Sequence, residues 1–303
     1  MKRKNLSKSD RKIAREGKTL SSLALRPQTH ERYMNGVLWI LPTLEKDPQN
    51  IPEVVADFVE QAYEDGESLG HVSDMLCGIH HHMPWLKGQL NNAWRLFRIW
   101  KRNETVDQAT PFPPQVVHAM IFRSLELGNL AMSALLAAGF YGLLRTGEIL
   151  KLNRSDVACD KTSLVLNLGY TKTGFRQGVE ETVVIRHPRC LLIWKTFLDV
   201  IGPHSSMLWP FSGSYFRAEF DALLQFFGLS NYGFRPYSLR RGGATAMFRA
   251  DGLLEKVLIM GRWKTHTAAT NYIHQGMATL AKMRFNKSSA DLIYDYAKKF
   301  SAR

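Results

Sequence analysis

Apolar residues recur every three or four positions along most of this chain, which is the pattern of amphipathic helices. In the first third of the sequence, this periodicity predicts four helices over about 28–46, 51–65, 68–82 and 86–101. Pro52 lies just inside the second one, where a first helical turn accepts proline. Residues 27–102 are therefore predicted to form a helical domain.

A segment without periodicity, 103–114, contains three prolines and is predicted to be an interdomain linker. Beyond it, the pattern predicts helices near 114–127, 129–143, 189–200, 214–227, 239–250, 252–260, 266–275 and 288–300. Leu164, Leu166 and Leu168 alternate with their neighbours, and 182–185 provides a return strand. The predicted fold class is mostly α with a small antiparallel sheet, and residues 115–303 form the second domain.

The longest run without a charged residue is 127–144, which is only just long enough to cross a bilayer. It also contains Gly, Ser and Asn, so it predicts a buried helix of a globular domain, and no membrane partner is expected.

Charge separates the N-terminal segment from the rest of the chain. Residues 1–26 contain nine Lys/Arg against Asp10 and Glu16, which accounts for about half of the net charge of +13. This segment is predicted to be a basic, flexible arm. A basic domain with a basic arm favours a polyanionic partner, although surface charge that serves only solubility is an alternative explanation.

Cys77, Cys159 and Cys190 lie far apart without CxxC spacing, which disfavours both a disulfide framework and a zinc site. The expected compartment is a reducing one. With its basic N-terminal arm, the protein is expected in the nucleus if it is eukaryotic and in the cytoplasm otherwise.

Aromatic and histidine residues in 80–100 offer two functional interpretations and a structural alternative for each. Trp85, Trp94, Phe97 and Trp100 fall near helical spacing, which is more typical of a core face than of a base-stacking platform. The consecutive histidines 80–82 could bind a metal, but adjacent residues on a helix point in different directions. A metal site at these histidines is therefore not expected.

Two short stretches place cations beside the predicted core. Arg145 directly follows the apolar run, and Glu148 is in reach if the turn continues helically. Taken alone, this is a structural ion pair as readily as a functional one. Lys172 lies just past the end of the first predicted strand, on its apolar face, and a solvated turn lysine is the ordinary alternative.

Two further stretches lie nearer the C-terminus. Ser238 is predicted to cap the helix that ends near 251–252, which places Arg240 and Arg241 in its first turn. Cations are unfavourable at that end of a helix, so the pair favours an anion-binding site. In the last stretch, Trp263 precedes a predicted helix that carries Tyr272.

Together the four stretches resemble the tyrosine recombinase, or phage integrase, family. That family's catalytic domain carries an Arg in an R-x-x-E setting, a hairpin Lys, an H-x-x-R motif, a His or Trp, and a Tyr about nine residues later. The matching positions, in order, are Arg145 with Glu148, Lys172, Arg240, Trp263 and Tyr272. The resemblance covers about 195 residues from the linker onward, and 27–102 suits the family's core-binding domain less specifically.

The resemblance implies an enzyme that cleaves and rejoins DNA through a 3′-phosphotyrosine intermediate, with Tyr272 as nucleophile. Arg145 and Arg240 would bind the phosphate, Trp263 would add a donor, and Lys172 would protonate the leaving oxygen. Double-stranded DNA is the implied partner, clamped between the N-terminal helices and the catalytic domain, with self-association into a tetrameric synapse. Neither a metal nor a nucleotide cofactor is expected, and the sequence lacks GxxxxGK[ST].

One position departs from the family pattern. Tyr237 stands where the family usually has His, and a phenol is a poor base near neutral pH. Glu148 and Arg241 complete the expected site as supporting residues. The expected function is site-specific recombination or integration, as in a mobile element. The alternatives are a DNA-binding protein that has lost catalysis and a type IB-like topoisomerase.

Overall fold

The computed structural model describes residues 7–17, 20, 24–104, 109–171, 179–205 and 207–302. The chain divides into two compact units, Met1–Asp107 and Gln108–Arg303. The functional roles assigned to the predicted domains remain predictions.

The N-terminal unit is helical, as the periodicity predicted. Its helices are α1 (Lys8–Arg15), α2 (Pro27–Leu44), α3 (Ile51–Glu64), α4 (Leu69–His82) and α5 (Asn91–Asn103). Helices α2 and α4 pack closely because glycine allows their backbones to meet. A Cβ on Gly36 would lie 2.6 Å from the Met75 backbone, and one on Gly78 would lie 2.4 Å from the carbonyl oxygen of Tyr33.

Two helical segments of this unit differ from those predicted. Lys8–Arg15 forms a short helix, capped reciprocally by Ser7 and Asp10, which the sequence did not predict; the flexibility of the arm stays a prediction. The helix predicted over 86–101 begins only at Asn91. Gly88 interrupts it with a φ of +92°, and a 3₁₀ turn over Pro84–Leu86 precedes it.

The aromatic residues of this region divide between core and surface. Phe97 and Trp100 are buried in the core of the N-terminal unit, as expected. Trp85 lies in the 3₁₀ turn and is exposed, so its assignment to the core was wrong.

The C-terminal unit surrounds one helix that is buried on almost all sides. Its elements are α6 (Pro114–Glu126), α7 (Leu130–Tyr141), α8 (Thr146–Ile149), β1 (Val157–Cys159), β2 (Leu164–Gly169), β3 (Glu181–Ile185), α9 (Pro188–Ile201), α10 (Gly213–Phe226), α11 (Ser238–Asp251), α12 (Leu254–Gly261), α13 (His266–Lys282) and α14 (Lys287–Ala302). The uncharged run predicted to be a buried helix is α7. In the described part of the chain, no helix combines the length and apolarity needed to cross a membrane.

The small sheet is antiparallel in the order β1–β2–β3, with Leu166 opposite Val157 on one side and Val183 on the other. Leu164 and Leu166 face the core, as their alternation predicted. The mostly α fold class with a small antiparallel sheet is therefore confirmed. The three-residue strand β1 was not predicted, because so short a segment has no detectable period.

The C-terminal helix packs within its own chain. Helix α14 lies against α6, where the Tyr296 hydroxyl donates a hydrogen bond to Glu126 and Phe300 is buried. In this structure α14 covers its own core.

Candidate active site

The site begins where two glycines press the start of α11 against its neighbours. A Cβ on Gly243 would lie 2.0 Å from the carbonyl oxygen of Phe140, at the end of α7. A Cβ on Gly242 would lie 2.3 Å from the carbonyl oxygen of Phe112. Because no other residue fits at these positions, the Arg-Arg-Gly-Gly segment brings the arginines into the interior.

Arg240 is fully buried, with 0% of its surface exposed. Its two terminal nitrogens donate to the carbonyl oxygens of Leu143 and Gly261, each at 2.5 Å. Leu143 has a φ of +49°, a backbone conformation that is rare outside glycine. No salt bridge to Arg240 is found among the described residues, so carbonyl dipoles hold a buried positive charge there.

Other cations lie near Arg240. Burial, followed by the charges of Arg145 and Arg262, lowers the pKa of Arg240 to about 10, with Tyr272 and Glu148 opposing the shift. Arg145 and Arg240, which come from distant segments, therefore share one electrostatic environment. An anion bound there would relieve their mutual repulsion.

Glu148 links the cations on the other side of the site. Its carboxylate accepts from the Arg145 backbone N–H at 2.9 Å and from the Arg145 guanidinium at 2.5 Å. It also accepts from Arg262 at 2.6 Å. Burial raises the pKa of Glu148, but Arg262 and Arg145 together outweigh this and hold it below the ordinary value.

Sequence reasoning missed the role of Arg262. This residue ends α12 in the left-handed conformation, at φ +54°, and its Nε lies 2.9 Å from a carboxylate oxygen of Glu181 in β3. Arg262 therefore connects the segment before Tyr272 to both Glu148 and the sheet. No local spacing predicts this link, because the two carboxylates are 114 and 81 residues away in the sequence.

Aromatic rings cover the buried arginines. The Arg240 guanidinium carbon lies 4.6 Å from the centre of the Trp263 ring, and that of Arg241 lies 5.0 Å from the centre of the Tyr272 ring. The Trp263 and Tyr272 rings are 5.0 Å apart. Each ring thus lies in cation–π range of an arginine from the start of α11.

Tyr272 lies on α13, and its hydroxyl is buried without a hydrogen-bond partner among the described residues. The Tyr237 ring meets it edge-on with 6.3 Å between ring centres. Burial raises the pKa of Tyr272, and the Tyr237 hydroxyl raises it further, whereas Arg240 and Arg241 oppose the shift. In this state Tyr272 is a protonated phenol at neutral pH.

Three details of the predicted site have different outcomes. Lys172 lies outside the described residues, so its placement stays a prediction. Ser238 does not cap α11, since Tyr237 holds the cap position and the Ser238 hydroxyl accepts from the Arg235 N–H at 2.9 Å instead. Helix α13 was predicted to end near 275 but continues to Lys282, because Gly276 stays helical and packs against Thr245 instead of ending the helix.

The site has an excess of positive charge. Four arginines, at 145, 240, 241 and 262, face two carboxylates, Glu148 and Glu181. The described residues contain one grouping suited to a metal ion, which consists of histidines in the N-terminal unit. The chemistry available here is therefore that of fixed guanidinium groups, which stabilise negative charge on an anion beside a phenol.

No protein-family model matches the sequence, and no curated protein matches it either. Solved structures do match the fold. The XerH site-specific recombinase bound to a palindromic difH substrate, in a post-cleavage complex, gives a TM-score of 0.62 at 14% identity. The match covers 89% of this chain and 81% of that chain.

Two further structures match over nearly their full length. A lambda integrase dimer bound to a COC′ core site gives a TM-score of 0.61 at 13% identity, covering 92% of this chain and 95% of that one. The Tn1549 transposon integrase in complex with circular intermediate DNA gives 0.56 at 10% identity, covering 93% and 96%. This chain therefore has the fold of the tyrosine recombinases and integrases.

Proposed function

We propose that this protein is a site-specific DNA recombinase or integrase that breaks and rejoins DNA strands through a 3′-phosphotyrosine intermediate. One observation carries the proposal. Arg145, Arg240, Trp263 and Tyr272, which are up to 127 residues apart in the sequence, converge around one positively charged site. The DNA complexes of the structural neighbours XerH, lambda integrase and Tn1549 integrase support double-stranded DNA as the partner.

The reaction is a transesterification at a DNA phosphate. The Tyr272 oxygen attacks phosphorus and loses its proton, while the bond to the 5′ oxygen breaks and that oxygen gains a proton. The strand remains attached to the protein as a 3′-phosphotyrosine. Attack by a 5′ hydroxyl of another strand reverses these steps and completes the exchange.

The arginines stabilise the negative charge that develops on the non-bridging oxygens. Arg145 is the more accessible, with 37% of its side chain exposed, so it makes the first contact with the phosphate. The resemblance assigns proton donation to the leaving oxygen to Lys172, which lies outside the described residues.

Catalysis requires the site to open. Arg240 is fully buried beneath Trp263, and the Tyr272 hydroxyl is buried as well. A phosphate can reach Arg240 only if Trp263 and the start of α13 move outward. The incoming negative charge favours this movement, because it offsets the repulsion among the arginines.

A DNA-binding protein without catalysis is the second candidate function. Tyr237 in the position of the family's His favours it, because a phenol is a poor general base near neutral pH. Tyr237 is half-exposed and edge-on to Tyr272, so it can still exchange a hydrogen bond with the nucleophile once the site opens.

A covalent-trapping experiment separates the two. End-labelled duplexes that carry a nick are incubated with wild-type protein, Tyr272→Phe and the control Tyr294→Phe, since Tyr294 is exposed on α14. Because the target sequence is unknown, the substrate is a library of duplexes of different sequence. We expect SDS-resistant labelling of the wild type and the control but not of Tyr272→Phe.

The other outcomes are equally informative. DNA binding without labelling of the wild type on any library member would favour the non-catalytic protein. Labelling of Tyr272→Phe would contradict the assignment of the nucleophile.

A further inference from the structure

Three histidines of the N-terminal unit meet at the junction of two helices. His30 lies in α2, and His81 and His82 are the last two residues of α4. One potential ligand atom from each lies within 4.8 Å of the other two. Gly36 and Gly78 allow the backbones of these two helices to pack in contact.

One buried ring nitrogen in this cluster needs a hydrogen-bond partner or a ligand. Nε2 of His82 is buried, and no hydrogen-bond partner for it exists among the described residues. An unpaired buried polar atom is costly, so a native structure that retains one calls for a ligand or an ordered water.

The surroundings favour a cation. His81 and His82 lie in the last turn of α4, where the free carbonyl groups carry partial negative charge. The cluster consists of imidazole without carboxylate, a ligand set that suits Zn²⁺ and related transition metals rather than Mg²⁺ or Ca²⁺.

We propose that His30, His81 and His82 bind a divalent transition-metal ion, with Zn²⁺ as the leading ion, that joins the start of α2 to the end of α4. Zinc binds histidine nitrogen at about 2.0–2.1 Å, so tetrahedral ligands lie about 3.4 Å apart. Small ring rotations that bring the three nitrogens closer, from within 4.8 Å to about 3.4 Å, complete the site. The fourth position is left for water or for a polar group of a partner.

The geometry also explains why consecutive histidines can share one ion here. His80 faces elsewhere, since its Nε2 lies 3.4 Å from the Trp94 indole nitrogen that donates to it. His30, which comes from another helix, has its ring centre 6.2 Å from that of His81 and 5.4 Å from that of His82. The proposal is independent of the recombinase function, since it concerns residues outside the proposed active site.

The test is zinc binding by the full-length protein. Metal is first removed with a chelator, the chelator is dialysed away, and ZnCl₂ is titrated by calorimetry. We expect one zinc per chain with an affinity in the micromolar range or tighter, together with a melting temperature that rises with zinc concentration. Loss of a group that merely supports a zinc ligand costs about 10–100-fold in affinity, so His30→Gln and His82→Gln should each cost at least that much.

His80→Gln and His204→Gln are the matched controls. His80 shares the last turn of α4 with the cluster, and His204 is exposed in the other unit. Both controls should bind zinc as the wild type does. Circular dichroism checks that each variant is folded, and His30→Gln, at a half-buried position, tests the site even if His82→Gln does not fold. Absence of zinc binding by the wild type, or unchanged affinity in His30→Gln, would overturn the proposal.

Discussion

The Glu148→Gln variant tests whether the ion-pair network organises the site. Glu148 accepts one backbone and two guanidinium hydrogen bonds, and only 10% of its side chain is exposed. The amide that replaces it keeps the shape but removes the negative charge between Arg145 and Arg262. One of the two guanidinium contacts then faces an amide N–H group instead of an oxygen.

The expected loss follows from the burial of each partner. Arg262 is 9% exposed, so losing its contact should cost about 2–3 kcal/mol, as for a charge-assisted hydrogen bond in the interior. Arg145 is 37% exposed, so solvent screens its pair, which adds about 0.5 kcal/mol. The free energy of unfolding should therefore fall by about 3 kcal/mol.

Catalysis should suffer more than DNA binding. Glu148 orients Arg145 and, through Arg262, the segment before Tyr272. A misplacement of about 1 Å reduces rates about 100-fold, so covalent trapping on a nicked duplex should slow by about that factor. DNA affinity should stay the same or rise, because the variant loses a negative charge.

The stability that Glu148 contributes to the fold depends on pH, and its direction follows from the pKa shift. The folded pKa of Glu148 is below its ordinary value of 4.5, so the ionised carboxylate stabilises the fold fully above that pH. The stability difference between wild type and Glu148→Gln should disappear as the pH falls through the folded pKa. Denaturant unfolding at several pH values measures it.

The control is Glu126→Gln, a carboxylate paired with Arg123 and Tyr296 away from the site. Its side chain is 39% exposed, so stability should change by less than about 1 kcal/mol and trapping should not change. Trapping by Glu148→Gln at the wild-type rate would refute the role of the network.

Three further predictions concern packing, electrostatics and the residue that sequence reasoning missed. Gly243→Ala should lose about 3 kcal/mol of stability in denaturant unfolding, because its Cβ would clash with the Phe140 carbonyl oxygen. Gly147→Ala, which has open space, should instead be neutral or gain up to about 1 kcal/mol. Burial lowers the pKa of His118 to about 4, so protonation of its ring opposes folding. Between pH 7 and pH 5, the free energy of unfolding of the wild type should therefore fall by about 2 kcal/mol more than that of His118→Gln. In Arg262→Lys, a single ammonium group cannot pair with both Glu148 and Glu181. Covalent trapping should therefore slow by about tenfold, with DNA affinity unchanged.

Long periodic elements were predictable from the sequence, whereas interruptions and short elements were not. The uncharged run became α7 and the leucine alternation became β2, because burial of an apolar face determines both patterns. The break at Gly88 could not be predicted, because a single glycine can also be tolerated within a helix. Strand β1 could not be predicted either, because three residues are too few to show a periodic pattern. The wrong prediction that Ser238 caps α11 shows the same limit, since its hydroxyl accepts from the Arg235 N–H in the preceding turn.

The site was predictable in its components but not in its connections. The order of the four stretches pointed to Arg145, Arg240 and Tyr272, which the structure brings together. The left-handed backbone at Leu143 and Arg262 left no sequence signal, because non-glycine residues adopt that conformation only when tertiary contacts impose it. His30 is likewise 51 residues from His81 and joins it only through helix packing.

The central claim is that the Tyr272 hydroxyl, surrounded by the site's arginines, becomes covalently joined to DNA. The most direct measurement is mass spectrometry of the protease-digested adduct formed by wild-type protein on a nicked duplex. The account predicts one modified peptide, with the nucleotide mass on Tyr272. A nucleotide on Tyr294, Tyr296 or any other residue would contradict it.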